Sequence, residues 1–202
     1  MLQNRESVAE ISPNTCSVVK RIILALVCAG VLAGADTVLE LNPGKTEIAF
    51  VVGSALHTIH GTFKLKRGSI RFDPETGKAT GEIVIDVASG ASGSGMRDKR
   101  MHKEILESQK YPEAVFTPDR VDGHLAAQGQ SEVDTHGRIN IHGTDHELTL
   151  HFKVAAQGNQ YTVSTHFSIP YVQWGMKNPS NFLLKVDEKV EMDVKADAIL
   201  GR

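Results

Sequence analysis

Downstream of Asp36, apolar and polar residues alternate with a period of two, which commits this chain to strands that bury one face and wet the other. In 82–87, Ile83, Ile85 and Val87 share a face opposite Glu82 and Asp86. Leu148, Leu150, Phe152 and Val154 alternate with Thr149, His151 and Lys153. Tyr161, Val163, Thr165, Phe167 and Ile169 alternate with Thr162, Ser164, His166 and Ser168. Val190, Met192, Val194 and Ala196 do so with Glu191, Asp193, Lys195 and Asp197. Further strand-like runs cover 46–52, 62–72, 114–121 and 138–142, with turn signals at Asn42-Pro43-Gly44, 73–77, 142–145 and Gly158-Asn159. About eight short antiparallel strands favour an up-and-down barrel, because closure removes exposed edges.

One segment breaks the period. Residues 96–109, MRDKRMHKEILESQ, are charged, and Met101, Ile105 and Leu106 recur at helical spacing. Tyr111-Pro112 ends the run, since the residue before a proline avoids the helical region. The spacing predicts one inserted helix over an end of the barrel, reached through a Gly/Ser-rich approach at 90–95. The expected fold class is mainly β: an antiparallel eight-stranded, lipocalin-like barrel with one inserted helix.

The first 35 residues read as an address. Lys20-Arg21 precede the uncharged run IILALVCAGVLAGA at 22–35, and Ala33-Gly34-Ala35 fits a small-residue cleavage site. That run is shorter than the roughly 20 apolar residues a spanning helix needs. A secretory signal over 1–35, cleaved near Ala35, would leave a barrel domain at 36–202 in the periplasm or outside the cell. Cys16 and Cys28 both fall in the leader, so the remainder has no disulfide and no thiolate. Its charge is −3, from 19 basic and 22 acidic residues.

Charge and composition narrow the function. An acidic balance with 5% aromatics offers neither the basic field nor the stacking platforms of a nucleic-acid binder. A membrane-spanning barrel would turn Glu82, Asp86, Lys153, Glu191, Asp193 and Lys195 toward hydrocarbon, which favours a barrel in water. The sequence holds no G-x-S-x-G, no H-E-x-x-H and no phosphate-binding glycine loop. Asp98 and Glu104 lie on a charged helix, where a solvated face is their ordinary role. Two histidine pairs are candidates for metal: His57 with His60, whose offset of three points them to opposite faces of a strand, and His142 with His146, which flank a turn. A hydrolase using His142, His146 and a carboxylate is therefore one reading, and a stress-response or adhesion module acting through its surface is another. The expectation is no enzyme, no metal and no cofactor. Eight strands close around either a packed core or one small ligand, and composition leaves both open.

Several segments, in order, are similar to one family. These are Phe50 with His57 and Gly61-Thr62-Phe63; Gly68-Ser69-Ile70-Arg71-Phe72-Asp73-Pro74; and the strand from Ile83 to Val87. Arg97-Asp98 with Met101-His102 and Leu106, Tyr111-Pro112-Glu113-Ala114-Val115-Phe116, and Gly137-Arg138-Ile139-Asn140-Ile141-His142-Gly143 follow. Together they resemble the YceI-like family of exported, lipocalin-like barrels. The resemblance implies a lumen that holds a long apolar amphiphile, a polyisoprenoid, quinone-like molecule or other lipid, with transient contact to a membrane. It implies lumen contacts from Phe50, Val52, Phe63, Ile83, Ile85, Val87, Phe116, Ile141, Leu150, Phe152, Phe167 and Trp174. Arg97, Lys99 and His102 at the helix start would meet an anionic or carbonyl head group and Leu106 the ligand beside them, with Asp98 either orienting Arg97 or simply pairing with it. The chain departs from the family's commoner form at 90–95 and 170–180, and it lacks the G-x-W of a lipocalin proper.

Overall fold

The computed structural model describes residues 37–182 and 184–201, so the expected leader lies outside the described residues. Eight strands run in chain order around a closed barrel: β1 (Thr37–Val52), β2 (Ile59–Phe72), β3 (Ala79–Ala91), β4 (Glu113–Gly123), β5 (Gln128–Ile141), β6 (Thr144–Gln157), β7 (Gln160–Ile169) and β8 (Val190–Gly201). Every neighbour pair is antiparallel, and β8 returns to β1 to close the wall. The period of two thus builds the expected eight-stranded barrel, in which every strand has a neighbour on each side.

The strands are longer than the alternating runs alone predict. Asn42-Pro43-Gly44 does not end a strand; it is an irregularity inside β1, where pairing with β8 shifts between Leu41 and Thr46. Asn42 fastens that kink, accepting from the Gly44 amide at 2.9 Å through its side chain and from the Thr46 hydroxyl at 2.7 Å through its carbonyl. Proline has no amide to donate, so a bulge is where a strand tolerates it. The His142-Gly143 link is a true hairpin turn, with φ of 53° and 78°, the left-handed pair that matches strand twist.

The alternation has one instructive exception. Val84 is fully buried although its neighbours Ile83 and Ile85 face the interior. Its Cα partners are Arg67 and Val115. Beside it run the ion pairs Arg67–Glu82 at 2.7 Å and Lys66–Glu113 at 2.5 Å. Long charged side chains cover apolar surface with their stems and keep their heads in water, which buries a valine on the outer wall.

The inserted segment forms α1 (Gly95–Arg100), continued by one wide π turn at Met101–Ile105. It ends four residues short of the expected boundary. Glu107 adopts φ of 44° and the chain turns there. His102 fixes this exit: one ring nitrogen lies 2.8 Å from the Gly90 carbonyl and the other 3.0 Å from the Ser108 hydroxyl.

Connections divide the barrel into two ends. The turns β2–β3, β4–β5 and β6–β7 lie at one end, with both ends of the described chain. The helical crossover, the β1–β2 and β5–β6 links and the β7–β8 loop lie at the other, the mouth. The core follows that division. Toward the end opposite the mouth Phe72, Phe116, Val133, Phe152, Val154 and Tyr161 pack together. Toward the mouth Ile48, Phe50, Leu65, Tyr171, Met176 and Met192 form a second cluster.

Candidate functional site: an apolar lumen with a polar rim

Between the two clusters the interior is hollow. The cavity measures about 290 Å³ and takes its walls from every strand, close to the lower bound of about 300 Å³ for small-molecule pockets. This decides between the two readings of an eight-stranded barrel: the core is not filled. Side chains of the alternating faces supply the walls, which are apolar except for Thr46 and Thr165. Phe50 and Phe63 lie with ring centres 5.2 Å apart. Gly61 pairs with Phe50 across β1 and β2, and a Cβ there would overlap the Phe50 ring, so glycine is what lets that aromatic lie on the wall.

The crossover closes over part of the mouth. Its inward stripe is Arg97, Met101 and Ile105, joined by Arg100 and Leu106. Ser92 organises the polar rim. The Ser92 amide donates to the Asp98 carboxylate at 2.8 Å, and the Ser92 hydroxyl bonds the same oxygen. Arg97 donates to the Ser92 hydroxyl and carbonyl, both at 2.7 Å. These bonds from Ser92 hold the Asp98 carboxyl below its ordinary range, with the charge of Arg97 assisting. Asp98 therefore positions Arg97 through a shared serine, a mediator that spacing alone did not reveal.

The β7–β8 loop supplies the rest of the mouth. Tyr171 and Met176 are buried beneath it, and Pro179, Leu184 and Val186 line the cavity. The Tyr171 hydroxyl donates to the Asp187 carbonyl at 2.7 Å, and burial pushes its pKa to about 12. The Asp187 amide donates to the Gly53 carbonyl at 2.9 Å, the Ala55 amide donates to the Lys185 carbonyl at 2.9 Å, and Lys177 meets Glu104 at 3.0 Å. Three connections are thereby braced into one rim.

Of the expected contacts, Phe50, Val52, Phe63, Ile83, Ile85, Val87, Arg97, Leu106, Phe116, Ile141, Leu150, Phe152 and Phe167 line the cavity. Lys99, His102 and Trp174 do not. His102 is occupied by Gly90 and Ser108. Trp174 stacks on His146, with ring centres 4.1 Å apart and planes 6° from parallel. The lining residues Ile48, Leu65, Val190, Met192 and Val194 were readable from the alternation that placed their neighbours. Tyr171, Met176, Pro179, Leu184 and Val186 sit in a loop without periodicity, marked only by its departure from the family's commoner form.

The histidines do not converge on one point. His142 packs on the Tyr111 ring, centres 4.6 Å apart, whereas His146 faces Trp174. Among the described residues no group of three His, Cys, Asp or Glu side chains is placed to hold a metal ion.

A closed antiparallel barrel with an apolar lumen and a loop-built mouth defines the class of lipocalin-like barrels. The chain belongs to the YceI-like domain family, which matches residues 39–198. Solved structures share the fold. BcnA of Burkholderia cenocepacia superposes with a TM-score of 0.63 at 17% identity, over 78% of this chain and 98% of that one. A polyisoprenoid-binding domain from Saccharophagus degradans gives 0.65 at 18%, over 81% and 98%. The YceI protein of Campylobacter jejuni gives 0.56 at 15%, over 70% and 84%. No curated protein matches the sequence.

Proposed function

We propose that this protein binds and carries one long apolar amphiphile, a polyisoprenoid, quinone-like molecule or other lipid, within its lumen, without catalysis and in the cell envelope. The observation that carries this reading is the hollow apolar interior with Ser92, Arg97 and Arg100 at its mouth. Membership of the YceI-like family supports it, as does the likeness to a domain described as polyisoprenoid-binding. The leader-like run at 22–35 supports export.

Energetics permit tight binding of a long chain. Burying a chain of about twenty carbons yields about 0.8 kcal/mol per CH₂, or about 16 kcal/mol gross. Lost translation and chain ordering oppose this by about 4–15 kcal/mol. The walls supply affinity and the rim supplies orientation: Arg97 and Arg100 would meet an anionic or carbonyl head group, with Arg97 already held by Ser92.

Titration with prenols of graded length tests this. A twenty-carbon prenol should bind one per barrel, and a five-carbon prenol should not bind measurably. Ile85→Trp projects an indole into the lumen beside the small Ala114 and should weaken uptake of the long prenol by at least about tenfold, about 1.4 kcal/mol. Its far-ultraviolet circular dichroism should be unchanged. Equal affinity for both lengths would refute carriage in the lumen.

A further inference from the structure

Large apolar side chains are fully at the surface in few places among the described residues, and three of them ring the mouth. Leu56 is 78% exposed on the β1–β2 link, Met96 86% exposed at the start of α1, and Phe182 97% exposed on the β7–β8 loop. The fourth, Ile199 at 50%, lies near the opposite end on β8. Each of the three comes from a different connection, and those connections are tied together. The Ala55 amide bonds Lys185 at 2.9 Å, and Arg100 reaches the Pro179 carbonyl at 3.4 Å. The same connections contribute Arg97, Met101, Pro179 and Leu184 to the cavity.

Charge is divided along the same axis. The four mouth connections, 53–58, 92–112, 142–143 and 170–189, hold eight Lys or Arg and five Asp or Glu, a balance of +3. The remaining described residues hold 10 basic and 16 acidic residues, a balance of −6. Among the described residues, the exposed Lys99, Lys103, Lys185 and Lys189 at the mouth make no ion pair. Of the five acidic mouth residues, Asp98 and Glu104 are already engaged, with Ser92 and with Lys177 and Arg100, and Glu107 lies 3.8 Å from His142, whereas Asp187 and Glu188 are exposed.

Separated apolar side chains standing among free lysines do not form the continuous apolar core of a stable protein interface. They match an anionic lipid surface, where single apolar groups enter the head-group boundary and cations are attracted to the lipid charge. We infer that the mouth rim docks on an anionic bilayer, with Leu56, Met96 and Phe182 inserted and the lysines against the head groups. The acidic remainder of the barrel then points away, so approach is oriented before contact. If the lumen carries a lipid, as proposed above, docking mouth-down passes the chain from bilayer to lumen without exposing it to water.

Flotation with vesicles tests the surface. Protein as recovered from its own cells is mixed with vesicles of phosphatidylglycerol and phosphatidylcholine, or of phosphatidylcholine alone, at low and high salt. Binding should require phosphatidylglycerol and fall with salt. The combined variant Leu56→Ser, Met96→Ser and Phe182→Ser should partition at least about tenfold more weakly, a change of about 1.4 kcal/mol. Lys99→Glu with Lys185→Glu should do the same. Any part that residues 1–36 play is common to all these proteins. Equal partition of wild type and the apolar variant, or binding indifferent to lipid charge, would overturn the docking surface. Uptake of a twenty-carbon prenol added from ethanol separates the two readings. The exposed variants should retain it, so loss of vesicle binding with normal uptake supports docking. Uptake absent from wild type and variants alike would strike at carriage and leave the flotation result to judge the surface.

Discussion

Thr165 is 7% exposed, faces the lumen from the middle of β7, and has a hydroxyl oxygen with no hydrogen-bond partner among the described residues. A buried polar group left unmade costs about 1–3 kcal/mol, whereas an apolar group of the same shape avoids that penalty. Thr165→Val should therefore stabilise the lipid-free barrel by about 1 kcal/mol, read as a higher denaturant midpoint at unchanged slope. A lower midpoint would show that the hydroxyl is bonded in solution. Two histidines make a second residue-scale contrast. Burial against Trp174 lowers the pKa of His146, despite Asp145 nearby, while a hydrogen bond to Asp193 at 2.8 Å raises that of His166. As pH falls, the unfolded chain protonates its equivalent of His146 before the folded chain does, so the stability that His146 contributes is lost on acidification through its folded pKa. His166 acts in reverse: its contribution is present in acid and lost as pH rises through its raised pKa. Nuclear magnetic resonance titration should place the His146 midpoint below 6.5 and that of His166 above it. Trp174, the single tryptophan of the chain, should change its fluorescence with the His146 midpoint and lose that change in His146→Phe. Inward strand residues such as Phe50, Ile85 and Phe167 were legible as such because period two leaves them one destination. His102 was not, because its partners, the Gly90 carbonyl and the Ser108 hydroxyl, are placed by the path of the crossover.

Among elements, the wall is unevenly sewn. β5 and β6 pair at fourteen positions, but β6 and β7 at only five, from Gln157↔Gln160 to Lys153↔Ser164. Toward the mouth, residues 144–152 of β6 and 165–169 of β7 do not pair with each other. Trp174, stacked on His146 of β6, comes from the loop that follows β7 and bridges this seam. Alternate amides of 144–152 that face β7 should exchange hydrogen faster than those facing β5, and the same should hold for 165–169 against β8. Uniform protection within each strand would contradict an open seam. Strand existence was readable from alternation, yet strand length was not. Asn42-Pro43-Gly44 has the chemistry of a turn, and only pairing on both sides makes it a kink within β1. The crossover helix was visible in its charged, non-branched composition, while its end depended on the π turn and the His102 clamp. The β7–β8 loop was opaque, since its course is set by bonds to Gly53, Ala55 and Glu104 far away in sequence.

As a whole molecule, the barrel is polar in structure as well as in charge. One end is packed by Phe72, Phe152 and Tyr161; the other is hollow and rimmed by arginine and by exposed Leu56, Met96 and Phe182. A stable barrel without disulfides needs only its packed end to be dense, which leaves the mouth end free to hold a guest. The low aromatic content belongs to this scale: Ile85, Val163 and Val194 leave space that larger rings would fill. Carriage of an apolar chain in that space is the central claim, and the mass of the intact protein under non-denaturing conditions tests it most directly. Purified from its own cells without detergent, the barrel should weigh more than its polypeptide by one lipid, released by organic solvent. A mass equal to the polypeptide alone, with no gain after incubation with long prenols, quinones or fatty acids, would contradict it.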